Sequence, residues 1–325
     1  MAKNSKKKSD FRTVPTKRLK HRVVNRLSAA TLAISGLLIS SFCLAKPSKI
    51  LSATLASDEM LTAILSASCE PRPCKEALNR LVAVSRFADD KRYSNIIDLV
   101  SGIKARFYGD IEQVVGLKPD LVILASFSRP ETISRLQNMN IDKFMMADLV
   151  SIEAIESTIV ALGARIDEPA AATRVLEDMR AEMATATKPD AQIKSKLNVI
   201  HIYDDGTISG RNTLFDSIAT AAGAHNAAHD LVNGWQKLSI EALIKLNPSV
   251  IVVGGSPDLS RDEEIKKLKS VPGVNKLSAW REGRIIIIPD PELAAVSPHI
   301  TKAVAKLRRA LKTHSNVTAT EAQAE

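Results

Sequence analysis

The sequence predicts an α/β protein of two lobes with mainly parallel sheets, joined by a long connecting helix. Two observations predict the α/β class. Short apolar runs alternate along the chain with amphipathic helical stretches. The runs are continuously apolar and β-branched or Leu-rich, as in strands covered on both faces. A third observation predicts two lobes. The alternation breaks at 151–184, where one helical stretch follows another without a strand between them.

Taken in order, the strands are expected at 50–55, Leu81–Ser85, Leu121–Ala125, 144–147, 197–203, 250–253 and 285–288. Ser57-Asp58-Glu59 is expected to open the first helix, with a capping residue and acids in its first turn. Asp110 is placed to cap Ile111–Leu117, Pro130 suits a first helical turn, and Thr213 is placed to cap 214–222. The connecting segment, 151–190, reads as helix over 151–162 and again over 169–184, where Ala170-Ala171-Ala172 and the residues after it are strong helix formers. Lys188-Pro189-Asp190 ends it. The first lobe is therefore 46–150 and the second 191–312, with a disordered tail at 313–325.

The two lobes share a pattern. Asp110-Ile111-Glu112 leads through Leu117 and Pro119 into an apolar strand, and Ser239-Ile240-Glu241 leads through Leu246 and Pro248 into another. In both, Pro follows Glu by seven positions and forces the chain to turn. A carboxylate in the first helical turn interacts with unpaired backbone N–H groups, which accounts for either Glu alone. Duplication of an ancestral lobe accounts for both.

The formal net charge of +9 would by itself suggest nucleic acid or an anionic surface. Its location removes that inference. Ten of the 45 Lys plus Arg and one of the 36 acids fall in 1–45, leaving 35 of each in 46–325. After Arg26 no charge occurs through Ala45, and the stretch contains Leu32-Ala33-Ile34-Ser35-Gly36-Leu37-Leu38-Ile39. A basic segment, an apolar segment and a closing small residue make a secretory signal peptide, cleaved after Ala45. An uncleaved N-terminal anchor and a lipoprotein acylated at Cys43 are the alternatives, the last opposed by Phe42. All three place 46–325 outside the cytoplasm, in the periplasm. Of the later cysteines, Cys69 and Cys74 are spaced for one disulfide in an oxidising compartment rather than for a metal or redox pair.

Together these features resemble the class III substrate-binding proteins of ABC importers, the binders of iron-siderophores, haem and cobalamin. The resemblance runs from about Ile50 to Leu311. It rests on the Ile111-Glu112 to Val122 segment, on Gly210-Arg211-Asn212-Thr213-Leu214 leading to Ala221-Ala222-Gly223-Ala224-His225-Asn226, and on Trp280-Arg281-Glu282-Gly283-Arg284 with the strand after it. It implies a ligand cleft between the lobes, a monomer, and a permease dimer with its ATPase subunits as partner. Glu112 and Glu241 match the carboxylates that dock on permease arginines. No resident cofactor and no metal site are implied; an iron chelate, haem or cobalamin is the transported ligand. Ser297-Pro298-His299 stands where the family often has Arg after Pro, which weakens an Arg clamp there. The loop 87–93 lacks the usual Pro after its Asp-aromatic pair.

Candidate ligand contacts follow. Phe87, Tyr93, Phe107 and Tyr108 are aromatic residues near strand ends of the first lobe, and flat rings suit a corrin or porphyrin. Trp235 follows Asn233-Gly234 in a polar stretch. Arg106, Arg129 and Arg211 could present paired donors to ligand carboxylates. Packing or plain solvent exposure is the alternative for each. His225-x3-His229 has helical ligand spacing, without an evident carboxylate partner. His201, on an apolar strand, reads as a satisfied core histidine, and ligand contact by His299 stays open. The sequence contains no Gly-x-Ser-x-Gly, P-loop, Gly-x-Gly-x-x-Gly or His-Glu-x-x-His, so an exported enzyme is poorly supported. An exported binding or sensor protein without transport remains the other alternative.

Overall fold

The computed structural model describes residues 46–189 and 197–321. The signal-peptide reading, with Cys43, lies outside the described residues. The first lobe opens on β1 (Ile50–Ser52), shorter than the expected 50–55. Thr54 ends it by capping α1 (Leu55–Ser66). Thr54 Oγ1 accepts from the Ser57 N–H and Ser57 Oγ accepts from the Thr54 N–H, so the helix begins before Ser57 rather than at it. The lobe continues with α2 (Lys75–Leu78), β2 (Leu81–Ser85), α3 (Ile97–Val100), β3 (Ala105–Phe107), α4 (Ile111–Leu117), β4 (Leu121–Ala125), α5 (Pro130–Asn138) and β5 (Lys143–Met146). Cys69 and Cys74 are joined in a disulfide. The sheet order is β3-β2-β1-β4-β5, all pairs parallel.

The connecting segment is two packed helices, α6 (Ile152–Arg165) and α7 (Pro169–Ala186). Ser151 caps α6 through the Ala154 N–H. Gly163 in α6 lies so close to α7 that a Cβ there would overlap the Ala172 side chain.

The second lobe comprises β6 (Asn198–His201), β7 (Thr207–Ser209), α8 (Leu214–Ala221), β8 (His225–Asn226), β9 (Trp235–Lys237), α9 (Ile240–Leu246), β10 (Val250–Gly255), α10 (Arg261–Lys269), α11 (Ser278–Arg281), β11 (Ile285–Pro289), α12 (Asp290–Leu293) and α13 (Ile300–Glu321). Its main sheet runs β11-β10-β6-β8, again parallel, and β7 pairs with β9 antiparallel. The last helix reaches Glu321, into the stretch expected to be a disordered tail. It packs on α7 and α8. One apolar core joins α1, α6, α7, α8 and α13, with Ile64, Ile159, Ile218 and Leu307 fully buried in it. The helical layer is therefore shared by both lobes.

The repeat is structural as well as sequential. α4 and α9 each end on a left-handed residue, Lys118 (φ 48°) and Asn247 (φ 35°), whose N–H reaches back to Val114 O and Leu243 O. A proline follows each, and then a buried strand. The N-termini differ. Ser239 Oγ accepts from the Ala242 N–H at 3.1 Å, whereas Asp110, at the capping position, makes no side-chain capping bond.

Candidate ligand-binding cleft

In both sheets the strand order reverses beside the first strand of the lobe, at β1/β4 and at β6/β10. Chains leaving such strands diverge to opposite sides and open a crevice at their carboxyl ends. Two adjoining cavities occupy that region. One, of about 480 Å³, takes Ser126 and Phe127 after β4, Asp148 and Leu149 after β5, and Phe215 and Val296 from the second lobe. The other, of about 540 Å³, takes Tyr93 from the first lobe and Asp204, Glu264, Lys267 and Asp290 from the second. His201, Tyr203, Trp235, Leu293 and Ala294 line both, making one cleft with an apolar half and a polar half.

Four exposed rings flank it, two from each lobe. Phe127 is 77% exposed, Trp235 54%, Tyr203 42% and Tyr93 41%. Rings of this size left exposed around one space give the cleft a largely aromatic rim. Beneath them His201 is buried. Its Nδ1 lies 3.0 Å from Ser209 Oγ, and its ring sits against Tyr203 and Phe215. Burial pulls this imidazole down to about 4, so it is neutral at ordinary pH. The histidine is thus both a core residue and part of the cleft wall.

The polar half is acidic. Lys267 is within 3.1 Å of Glu264 and 3.6 Å of Asp204. Glu264 also accepts from the Ser256 N–H at 2.8 Å, and Asp205 accepts from both the N–H and the hydroxyl of Thr207. Asp290 is the exception. Among the described residues no hydrogen bond reaches its carboxylate, which sits over Gly254, where a Cβ would collide with it. Burial pushes the Asp290 carboxyl up to about 6, and the charges of Glu264 and Asp204 push it the same way.

The expected contacts divide on this geometry. Tyr93 and Trp235 line the cleft. Phe87, Tyr108, Arg129 and Arg211 lie outside the lining of both cavities. Phe87 is stacked under the Arg86 guanidinium at 4.7 Å, and Phe107 is buried in the first lobe's outer core. Arg106 is held by Asp89 through two bonds of 2.5 and 2.8 Å, so its fork is already filled. His229 does have a carboxylate partner, Asp216, at 3.0 Å, contrary to the expectation. Among the described residues no group of His, Cys, Asp and Glu is arranged to hold a metal ion. His299 lies beside Lys302 and Glu59 in a separate cavity next to α7, and burial pulls it down to about 4.

Phe127, Asp148, Tyr203 and Asp290 were not singled out by motif. Each follows the end of a strand by no more than two residues. The rule that ligands sit at the carboxyl ends of parallel strands would have found all four.

Glu112 and Glu241 stand in the first turns of α4 and α9, and both are exposed. A helix between parallel strands runs back against them, so its first turn lies at their carboxyl ends, the level of the cleft. Glu112 has Arg135 at 4.0 Å. The helix-end N–H and Ser239 hold the Glu241 carboxyl below its ordinary value.

Two parallel α/β lobes, a helical layer common to both, and an aromatic cleft at the carboxyl ends of both sheets define a two-lobed solute-binding protein. The chain belongs to the periplasmic binding protein family, whose model matches residues 52–292. It is a family of binding proteins rather than of enzymes. The chain is 27% identical over 205 residues to a cobalamin-binding protein of Halobacterium salinarum, covering 62% of this chain and 55% of that one. It therefore spans little more than half the length of that relative. It is 27% identical over 206 residues to a vitamin B12-binding protein of Salmonella choleraesuis, covering 62% of this chain and 76% of the relative. Among solved structures, the periplasmic heme-binding protein RhuT from Roseiflexus sp. RS-1 has the same fold. Its TM-score is 0.66 at 24% identity, covering 82% of this chain and 98% of that one.

Proposed function

We propose that this chain is the exported substrate-binding component of an ABC importer, capturing a metal chelate of the cobalamin, haem or siderophore kind. The observation that carries the reading is the cleft: four exposed rings, drawn from both lobes, around one continuous space at the carboxyl ends of two parallel sheets. Relatives named for cobalamin and vitamin B12 support the ligand class. Capture is then insertion of a flat ligand between Phe127 and Tyr93 on one side and Tyr203 and Trp235 on the other. Affinity comes from the preformed walls, since the shared helical core favours small closure over large rearrangement. Glu112 and Glu241 are proposed to dock the loaded protein on arginines of the permease, where two charges on separate lobes set orientation.

Calorimetric titration with cobinamide, cobalamin, haemin and ferric siderophores tests the ligand reading. At least one should bind, and Trp235→Ala should weaken it by about tenfold, the worth of one aromatic face. Binding by none of them rejects the reading. The docking role is tested by Glu112→Lys with Glu241→Lys. Ligand binding should be unchanged and uptake into cells lost; uptake at the original rate would remove the role.

A further inference from the structure

We infer that the cleft selects its chelate by the charge of the chelate's edge, accepting carboxamide or cationic N–H donors at Asp290 and rejecting edges that carry carboxylates. This rests on the chelate-binding reading above and names the substrate class within it.

The argument starts from what lines the polar half. Asp204, Asp205, Glu264 and Asp290 face the space, with Lys267 as the lining cation. Lys267 is engaged by Glu264 and Asp204. Asp148, in the adjoining half, is bonded by Ser126 Oγ at 2.6 Å. No arginine lines either cavity among the described residues, and Arg106, the nearest in kind to a clamp, is held by Asp89. A ligand carboxylate placed here would meet carboxylates, and the described cations at hand, Lys267 in the lining and Lys237 on Asp205 at 3.3 Å, are already paired. Such like-charge placement is strongly unfavourable away from bulk water.

Asp290 converts repulsion into selection. Glu264 and Asp205 have their donors within the protein. Asp290 has none among the described residues, although it is half-buried at the start of α12. A half-buried carboxylate short of donors gains most from an N–H supplied by whatever fills the space, and charge-assisted bonds of that kind are the stronger class. Gly254 keeps the floor beneath it free of a side chain. A corrin ring edged with primary carboxamides meets both demands, as does a cationic hydroxamate chelate. A porphyrin with two free propionates, or a tris-catecholate iron complex, meets neither.

The test compares ligands that differ in edge charge on one ring. Calorimetry at pH 7.5 with the purified protein would use haem, haem diamide (both propionates converted to carboxamides), cobinamide and ferric catecholate. Wild type should bind the diamide at least about tenfold tighter than haem. Asp290→Asn with Asp204→Asn should shrink that ratio to about twofold or less. Equal or tighter binding of haem by wild type, or a ratio unchanged in the double variant, overturns the inference while leaving chelate binding intact. If the double variant does not fold, Asp204→Asn alone, in an exposed loop, should lower the ratio, and an unchanged ratio there overturns the inference too. Binding of none of the four, with ferric hydroxamate and cobalamin also silent, rejects the parent reading and this one with it.

Discussion

His201 lies in the cleft wall and in the core at once, and its chemistry follows from both positions. The ring is almost wholly buried, held by Ser209, and pulled down to about 4 from an ordinary 6.5. A histidine depressed on folding supports stability fully above about 6.5 and withdraws that support progressively as pH falls from there to about 4. The two and a half units separating those values correspond to about 3 kcal/mol. Between pH 7 and 4, wild type should therefore lose about 3 kcal/mol more stability than His201→Asn, measured by thermal and urea unfolding of both proteins. Parallel pH profiles would mean that the imidazole does not titrate in this way. Comparing the two proteins matters because Asp58 acts in the opposite direction. Burial raises its carboxyl to about 7, so its cost to stability grows as pH rises from about 4 to 7. At this scale the sequence identified residue types better than roles. It marked Arg106 as a ligand donor, but Asp89, seventeen positions away, occupies the guanidinium. It passed over Asp290, whose carboxylate has no such partner among the described residues.

Elements were legible where they were long or strongly apolar. β2 and β4 fall at the residues expected, and Thr213 and Pro130 stand where a cap and a first turn were expected. β3, β7 and β9 were not. Each has three residues, too few for periodicity to register, and Trp235-Gln236-Lys237 is exposed along its whole length. The boundary between β1 and α1 was misplaced because the hydroxyl of Ser57 completes a cap centred on Thr54. The α6–α7 pair carries a prediction that propensity would get wrong. Replacing a helical Gly by Ala normally stabilises by up to about 1 kcal/mol. Gly163→Ala should instead destabilise by about 1–3 kcal/mol, because the new methyl overlaps Ala172 across the helix pair. A rise in Tm would mean that α7 can yield without loss.

The two lobes are tied by polar bonds as well as by their shared core. Glu59 in α1 accepts from Ser297 Oγ at 2.5 Å and from the backbone and side chain of Asn95 at 2.9 and 3.0 Å. Asn95 in turn donates to Pro291 O at 2.5 Å. These bonds fix the 290–298 segment, which supplies Asp290, Leu293, Ala294 and Val296 to the cleft. Burial raises the Glu59 carboxyl, so losing a donor there is costly. Ser297→Ala should cost about 1–3 kcal/mol in urea unfolding. A double-mutant cycle with Glu59→Gln should give a coupling of at least about 0.5 kcal/mol. Additive effects would mean that the bond does not tie the lobes. Among the described residues no helix is long and apolar enough to cross a membrane.

By itself the sequence determined the α/β class, the two lobes, the repeated helix–turn–strand unit and the neutrality of 46–325, because each is written in local periodicity or in a count of charges. Tertiary structure decided which residues meet in the cleft. Tyr93, Phe127, Tyr203, Trp235 and Asp290 are separated by up to nearly two hundred positions and share no motif. They converge because parallel strands deliver their carboxyl ends to one edge of each sheet, and the common helical core sets those two edges face to face.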